Sequence, residues 1–354
     1  MKFLKNLTLL LFMIIASFSV VNSQDAHFSQ FYASPLTLNP ALAATSGSAY
    51  RVALNYRDQW RSALDDPLRT FSVQGDLRYQ MDEVSKRPDF AGLGFQFYSD
   101  QVTTFDLNTN QIAVIGSYHK SLSEKFDHYI GGGIKFGLLQ KSINYEDLFF
   151  EDQFNAIDAY NLSTGELLPA NNFAVLDLEV GINYIIEPDK GKQYMAGVSL
   201  AHFTAPNVSF YRVDETPNPD LIRENALFTK ITGYLSGSFA TGQRTDVQPR
   251  LLFLSQGPHT EINLGTNFRY SLSLKEGNKV HFGPWLRMVD NVDGFGLESI
   301  VVATGVEVGN FVIGLSYDHN ISDLVQDRSG LNAFELSITF LGDIDDYDGW
   351  CPKF

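Results

Sequence analysis

The chain has 354 residues, of which 13% are aromatic and 19% are charged, and its formal net charge at pH 7 is −15. The charged fraction is low for a water-soluble chain of this length, and so negative a surface excludes nucleic acid as a partner. The single cysteine, Cys351, excludes an internal disulfide framework and a thiolate metal cluster.

Residues 1–23 have the pattern of a secretory signal peptide. Lys2 and Lys5 give a positive start, an apolar stretch covers 7–20, and small residues precede a cleavage site before Gln24. Cleavage would remove two lysines and no acids, which takes the formal charge from −15 to −17. No later run approaches the roughly 18 apolar residues that a membrane helix needs, so any embedding in a membrane must use strands.

An irregular N-terminal segment, predicted to be periplasmic, covers residues 24–49. It is rich in aromatic, amide and proline residues and has no sustained period. Pro35 and Pro40 restrict the residues before them and prevent a regular helix, so the segment is predicted to be extended and held by contacts. The candidate anchors and docking residues are Phe28, Gln30, Phe31, Tyr32, Pro35, Asn39 and Pro40, together with Asn55, Arg57 and Trp60 just beyond.

Short stretches that alternate apolar and polar residues dominate the rest of the chain. In one of them, Leu176, Leu178 and Val180 alternate with Asp177 and Glu179. Side chains alternate faces along a strand, so each stretch has one apolar face and one polar or glycine-rich face. A soluble β-sandwich with its apolar faces turned into a core would give the same alternation.

Fourteen strands are predicted. They cover residues 50–58, 68–80, 90–99, 109–121, 128–142, 173–186, 193–203, 228–241, 247–256, 260–275, 279–290, 297–308, 310–320 and 331–341.

The lengths of the connections favour a membrane barrel over a sandwich. Even-numbered connections are mostly short, whereas the longest, 143–172 and 204–227, are odd-numbered; the short turn at 256–259 is the exception. Short turns on one rim and long loops on the other are typical of an outer-membrane barrel, whose short turns face the periplasm. The predicted fold is therefore all-β: a transmembrane antiparallel β-barrel over 50–341, with both termini periplasmic.

Two loops and the C-terminal tail carry further candidates. The loop 143–172 holds Phe149, Phe150 and Phe154 among acids, as a plug or a docking surface would. His202 fixes the start of the loop 204–227, Pro206 lies within it, and both are candidate docking residues. The acidic periplasmic tail, 342–354, lacks the ligand spacing of a calcium-binding loop and is predicted to be solvated or to dock on a basic partner.

Several motifs resemble one known family, the PorP/SprF outer-membrane proteins of type IX secretion. They are Gln24-Asp25-x-His27-Phe28-Ser29-Gln30-Phe31-Tyr32, Pro35-Leu36-x-Leu38-Asn39-Pro40-Ala41, Arg51-x-x-x-Asn55-Tyr56-Arg57-x-Gln59-Trp60, Gly92-x-Gly94-Phe95 with Asp100, His202-Phe203-x-x-Pro206-Asn207-x-Ser209-Phe210 and Cys351-Pro352-x-Phe354. The opening motif is the most specific of them, and the set spans the mature chain.

The resemblance implies a non-enzymatic barrel without a cofactor that works with the type IX secretion and gliding motility apparatus. Its implied partners are a secreted adhesin, engaged through the adhesin's C-terminal domain, periplasmic components of the apparatus, and outer-membrane lipid. These partners are implied by the family and not by the residue pattern. The residue pattern itself indicates only a barrel with large loops and a motif-rich N-terminal segment.

The residues also bear on two other function classes, an enzyme and a diffusion channel. For an enzyme, the seven histidines form no HExxH or paired metal-ligand spacing, and no G-x-S-x-G elbow occurs. Asp318-His319 could orient a catalytic base, but a polar girdle is the favoured account, since nucleophile and base cannot be paired without spatial information. For a diffusion channel, inward-facing charged side chains would line a water-filled path. These are Asp177, Glu179, Glu261, Arg269, Arg287 and Glu335.

Overall fold

The alternating stretches form β-strands in the structure, a computed structural model. It describes residues 25, 27–64, 66–81, 87–103, 106–125, 127–146, 148–157, 159–189, 191–211, 226–273, 278–291, 294–322 and 331–343. The signal peptide, Cys351 and most of the acidic tail lie outside these residues, so what the sequence predicts for them stays a prediction.

The fourteen strands run in chain order around the barrel. They are β1 (Tyr50–Gln59), β2 (Leu68–Gln80), β3 (Phe90–Val102), β4 (Leu107–Ser121), β5 (Asp127–Ser142), β6 (Asn172–Asp189), β7 (Lys192–Ala201), β8 (Lys230–Ala240), β9 (Thr245–Gln256), β10 (His259–Ser271), β11 (Lys279–Asn291), β12 (Gly294–Val308), β13 (Phe311–Asn320) and β14 (Ala333–Gly342).

Each strand pairs antiparallel with the next one. The barrel closes where β1 pairs with β14, with Tyr50 opposite Gly342 at one end and Gln59 opposite Ala333 at the other. The predicted closed antiparallel barrel of 14 strands is confirmed, and each predicted strand overlaps an observed one. Within the described residues, no helix is both long and apolar enough to cross a membrane.

Strand β6 illustrates how the alternation separates the two faces of the wall. The exposed fractions of Leu176 and Ile182 are 75% and 62%, whereas Asp177 and Glu179 are buried at 2% and 1%. Apolar side chains therefore face outward, where lipid would cover them, and the carboxylates face the lumen. The same arrangement along the other strands gives the barrel an apolar outer surface and a polar interior.

The connections distinguish the two ends of the barrel. We call the end where β1 begins and β14 ends the turn rim; it carries the even-numbered connections, such as the short turns 241–244 and 309–310. The opposite end, the loop rim, carries the odd-numbered connections, including the two longest, 143–171 and 202–229. The short connection at 257–258 is the exception that the sequence predicts.

The N-terminal segment, which we call the leader (residues 25–49), runs through the inside of the barrel. Asp25 lies at the loop rim, against the beginning of β8 and the end of β9. Leu36 and Asn39 are fully buried in the lumen, and the backbone N–H of Ala44 reaches β2 near the turn rim. Three short 3₁₀ turns, Phe31–Ala33, Pro35–Thr37 and Pro40–Leu42, fold the leader within this space.

This path concerns only the described residues; the prediction that both termini lie on the periplasmic side stays a prediction, because residues 1–24 and 344–354 lie outside them. The described chain begins at the loop rim with Asp25 and ends at the turn rim with Asp343, so its two ends lie at opposite ends of the barrel. The physical reason is that fourteen strands enclose more space than their own side chains fill. Apolar anchors such as Phe31 gain about 1.5–3 kcal/mol each by burial there, which an exposed position at the rim would not provide.

Candidate functional site

The candidate site is the lumen itself, where the leader is held at successive levels from one rim to the other. At the loop rim, Asp25 Oδ2 lies 2.7 Å from Lys230 Nζ and 2.7 Å from His202 Nε2, and the Asp25 backbone N–H donates to Gln256 Oε1 at 3.0 Å. His202 Nδ1 lies 2.8 Å from Asp177 Oδ1. Both ring nitrogens of His202 thus face carboxylates, which suits a protonated imidazole.

Electrostatics at this level favour ionised groups. Burial would raise the pKa of Asp25, but the neighbouring Lys230 and His202 cations hold that pKa well below its usual range. Burial would lower the pKa of His202, but the two carboxylates raise it to about 9. His202 also has a backbone φ of +56°, a left-handed conformation that residues other than glycine seldom adopt. Its ion pairs offset that strain.

A buried cluster of arginines and carboxylates holds the leader one level deeper. Glu335 accepts hydrogen bonds from two successive leader N–H groups, those of Ser29 at 2.6 Å and Gln30 at 2.8 Å. Arg57 pairs with both Glu335 and Asp318, and Arg287 Nη2 lies 2.9 Å from Asp318 Oδ2. Buried charges are tolerated when they are paired and hydrogen-bonded in this way.

The Asp318 pairing also decides how the Asp318-His319 dipeptide is used. Asp318 is buried in the lumen among arginines, whereas His319 is exposed on the outer face of β13. Neighbouring residues of a strand point to opposite faces, so this carboxylate cannot orient this imidazole.

Aromatic packing fixes the middle of the leader. The Phe31 ring meets Trp285 edge-on at a centroid distance of 5.4 Å, and Tyr32 stacks on the same indole at 5.6 Å. Trp285 Nε1 donates to Asn267 Oδ1 at 3.1 Å, which satisfies its polar atom in the lumen. The buried cluster is completed by Leu38, Leu42, Tyr234, Leu252, Val301 and Ala303.

The wall gives the Asn39-Pro40 pair both space and hydrogen-bond acceptors. Asn39 Nδ2 donates to the carbonyls of Ile182 at 3.0 Å and Val198 at 3.2 Å, and Asn39 Oδ1 caps the next turn by accepting from Ala41 N at 2.8 Å. Gly181 and Gly133 provide the space, because a Cβ on either would overlap Asn39 or the Pro40 carbonyl. Small residues in the wall therefore match the leader's bulk.

Polar side chains of the wall satisfy the leader's irregular backbone down to the turn rim. Gln74 Oε1 accepts from Leu36 N at 2.8 Å, and Asp76 Oδ1 accepts from Ala44 N at 2.9 Å. Arg51 is bonded to the other Asp76 oxygen at 2.8 Å and donates to the Leu42 carbonyl at 3.1 Å. A segment without a ladder of its own can remain buried only if such partners exist.

The structure divides the predicted docking residues into two groups. The first group lies in the lumen or lines it. Its members are Phe28, Gln30, Phe31, Tyr32, Pro35, Asn39, Pro40, Asn55 and Arg57. These side chains contact the barrel wall from inside, and their predicted docking role stays a prediction.

The second group lies at the loop rim. Trp60 follows β1 there, and its backbone N–H donates to the Asn332 carbonyl at 2.8 Å. His202 pairs with Asp25, as described above. The Pro206 carbonyl accepts a hydrogen bond from Leu227 N at 2.9 Å. The remaining members are Phe149, Phe150 and Phe154, in the connection between β5 and β6.

That β5–β6 loop carries a strongly apolar exposed surface. Phe149, Ile157 and Leu167 are exposed at 70%, 83% and 89%. The loop is nevertheless folded, since Phe154 pairs with Tyr160 in an isolated bridge with their rings 5.1 Å apart. Exposed apolar groups on an ordered loop are typical of a surface that binds another protein.

Sequence reasoning missed the partners that hold the leader. Asp25 is part of a quoted motif but was not singled out, and Asp76 and Gln74 were not recognised. Asp177 and Glu335 were expected to line a water-filled path; they do face the lumen, yet they bind His202 and the leader backbone. One sequence signal could have revealed these partners: many charged residues occupy lumen-facing positions in a chain whose leader is rich in amides.

Comparisons with known proteins give one family and several distant structures. A family model described as type IX secretion system membrane protein PorP/SprF matches residues 20–340. No curated protein matches the chain. Among solved structures, CdiB from Escherichia coli is 10% identical with a TM-score of 0.43, over 82% of this chain and 63% of that chain, so this chain spans less than two thirds of the length of CdiB.

Two other solved structures match over most of their length. A FadL homologue of Pseudomonas aeruginosa is 12% identical with a TM-score of 0.48, over 86% of this chain and 92% of that chain. The monoaromatic hydrocarbon channel CymD is 9% identical with a TM-score of 0.48, over 93% of this chain and 100% of that chain. Likeness at this level carries no information on ligands or partners.

Proposed function

Since the chain belongs to the PorP/SprF family of type IX secretion system membrane proteins, we propose that it is a non-enzymatic barrel that binds an exported adhesin and supports its secretion or surface anchoring. The bound part is the adhesin's C-terminal domain. The turn rim faces the periplasm, where components of the secretion and motility apparatus contact it, and the loop rim faces outside.

The filled lumen is the observation that carries this proposal over a diffusion channel. The leader occupies the barrel axis and is bonded to the wall at every level. Two cavities beside it at the loop rim have volumes of only about 80 and 40 Å³. Among the described residues the leader thus leaves little room for a small solute, whereas a protein partner needs only the surfaces at the two rims.

The β5–β6 loop is the surface that we assign to the adhesin. Its exposed apolar side chains are costly in water and become favourable when a partner covers them. Aromatic residues such as Phe149 are also enriched at protein interfaces. His202 and Pro206 shape the neighbouring loop and so contribute to the same rim.

A co-purification experiment tests the proposal. The full chain is tagged, extracted in detergent from its native cells, and its co-purifying proteins are identified. We expect a large surface protein to be recovered with the wild type and to be lost with the double variant Phe149→Ser, Leu167→Ser. The matched control is Leu122→Ser, which changes an apolar side chain exposed at 49% at the turn rim.

Equal recovery with the double variant and the control would contradict an adhesin site on this loop. Purification of the barrel alone, with ion conductance in planar bilayers, would support the diffusion channel instead.

A further inference from the structure

A cavity of about 530 Å³, lined by both polar and apolar groups, opens at the turn rim on one side of the leader. Its floor is the leader, at Gln30 and Tyr32, and small residues such as Gly305 and Gly314 widen its wall. Asn310 and Asp343 lie at its mouth. The leader thus fills the lumen toward the loop rim but leaves a pocket accessible from the turn rim.

One cation in this cavity, Arg250, has no carboxylate partner. Its Nη2 donates to Gln248 Oε1 at 2.9 Å, and its guanidinium carbon lies 4.6 Å from the centre of the Tyr32 ring. Its Nη1 has no hydrogen-bond partner, and no carboxylate in the described part of the chain forms an ion pair with it. Arg250 is half-buried, so this positive charge is removed from bulk water without a counter-charge.

The other cations at the cavity are already neutralised. Arg269 pairs with Glu307 at 3.0 Å and with Asp246 at 3.6 Å, and Arg51 pairs with Asp76. The unbalanced charge is therefore local to Arg250. The contact with Tyr32 restrains its planar group and leaves Nη1 as the donor without a partner.

We propose that this cavity binds a carboxylate of an acidic peptide segment, with Arg250 as its ion partner. The neutral groups around it fit a peptide, because Asn267, Ser337 and Thr339 can bond main-chain amides. The cavity is also larger than a single carboxylate needs. This site is separate from the adhesin surface proposed at the loop rim, and it takes its ligand from the opposite end of the barrel.

Two sources could supply such a segment. One is another protein at the turn rim. The other is this chain itself, because Asp343 lies at the mouth and the sequence continues through Asp345, Asp346 and Asp348, which lie outside the described residues. The ligand chemistry is the same in both cases, so the test must separate the sources.

The test measures binding of a fluorescent peptide with the sequence of residues 343–354 to the purified full chain in detergent micelles. The readout is fluorescence anisotropy, and the comparison peptide has asparagine at its four aspartate positions. We expect the acidic peptide to bind saturably and the asparagine peptide not to bind. Arg250→Gln should weaken the affinity for the acidic peptide about tenfold or more. The matched control is Arg244→Gln, which removes the same charge from an exposed turn at the same rim.

A second protein variant distinguishes the two sources of the acidic segment. It also keeps the proposal testable if Arg250→Gln fails to fold. In the full chain with Asp345, Asp346 and Asp348 all changed to asparagine, tighter binding of the added peptide than in the wild type means that the chain's own tail occupies the cavity. Equal binding in the two proteins means that the ligand comes from elsewhere. The proposal is overturned if neither protein binds the acidic peptide, if both peptides bind equally, or if Arg250→Gln and Arg244→Gln behave alike.

Discussion

Glu335 is the wall residue that connects the leader to the buried charges, because one carboxylate accepts two leader N–H groups and pairs with Arg57. Replacing it by glutamine leaves Arg57 and Arg287 with too little negative charge in a buried site. Breaking a buried pair from one side costs about 3–5 kcal/mol. We expect Glu335→Gln to lower the free energy of unfolding by that order, measured by urea titration in lipid vesicles.

The control for this prediction lies in the same cluster. Glu298 pairs with Arg287 at 3.8 Å and its side chain is 30% exposed. A partly exposed pair at that distance contributes less than about 1 kcal/mol, so Glu298→Gln should leave the unfolding midpoint almost unchanged. Equal losses for the two glutamine variants would show that burial of the pair is not what matters.

The Asp25–His202 pair makes the hold on the start of the leader depend on pH. The pKa of His202 is raised to about 9, so its stabilisation is complete below its unfolded pKa of roughly 6.5 and is lost as the pH rises through about 9. The pKa of Asp25 is lowered, so its stabilisation is present above roughly pH 4 and is lost as the pH falls further. The hold should be strongest between about pH 4 and 6.5.

Hydrogen exchange checks this window. We expect the protection factors of residues 27–33 to fall about tenfold or more between pH 6 and pH 10 in the wild type. His202→Asn should have low protection at both values, and His319→Asn, an exposed histidine at the same rim, should behave as the wild type. A pH-dependent loss that persists in His202→Asn would refute the assignment.

At the scale of elements, the strands were predictable and the path of the leader was not. A period of two residues is a local signal, so β2 is observed at the predicted bounds, 68–80. The leader has no period, and its position depends on contacts far apart in sequence, such as Ser29 with Glu335. Asn39 was correctly read as a group that bonds an irregular backbone, because it caps the next turn of the leader, whereas the Arg57 guanidinium bonds side chains. Only barrel closure shows that leader and wall satisfy each other.

The fit between leader and wall predicts an unequal response of two glycines. A Cβ at Gly133 would overlap the Pro40 carbonyl and the Ala41 backbone nitrogen, whereas one at Gly116 would meet nothing within 4 Å. Overpacking against backbone costs about 1–3 kcal/mol. We expect Gly133→Ala to destabilise the barrel by that amount in urea titration and Gly116→Ala to be neutral; similar midpoints for both would mean that the leader yields freely.

At the scale of the whole molecule, the connections were predictable and the side at which the described residues begin was not. Loop parity follows from strand order, which the sequence pattern gives. The side reached by residue 25 depends instead on the leader threading the lumen, which places Asp25 and the β5–β6 loop at one end and the turn 241–244 at the other. When the barrel closes, the N-terminal segment thus becomes the core of the barrel.

Epitope tags on intact cells test this arrangement. A tag between Gln24 and Asp25 and a tag within 155–157 should both be reached by antibody from outside, because both sites lie at the loop rim. A tag after Gly242, at the turn rim, should be reached only after the outer membrane is opened. If only the tag after Gly242 were labelled on intact cells, the barrel would have the opposite orientation in the membrane with the same fold. Labelling of 155–157 together with protection of the tag before Asp25 would contradict the threaded leader, because that result would place the beginning of the mature chain at the turn rim.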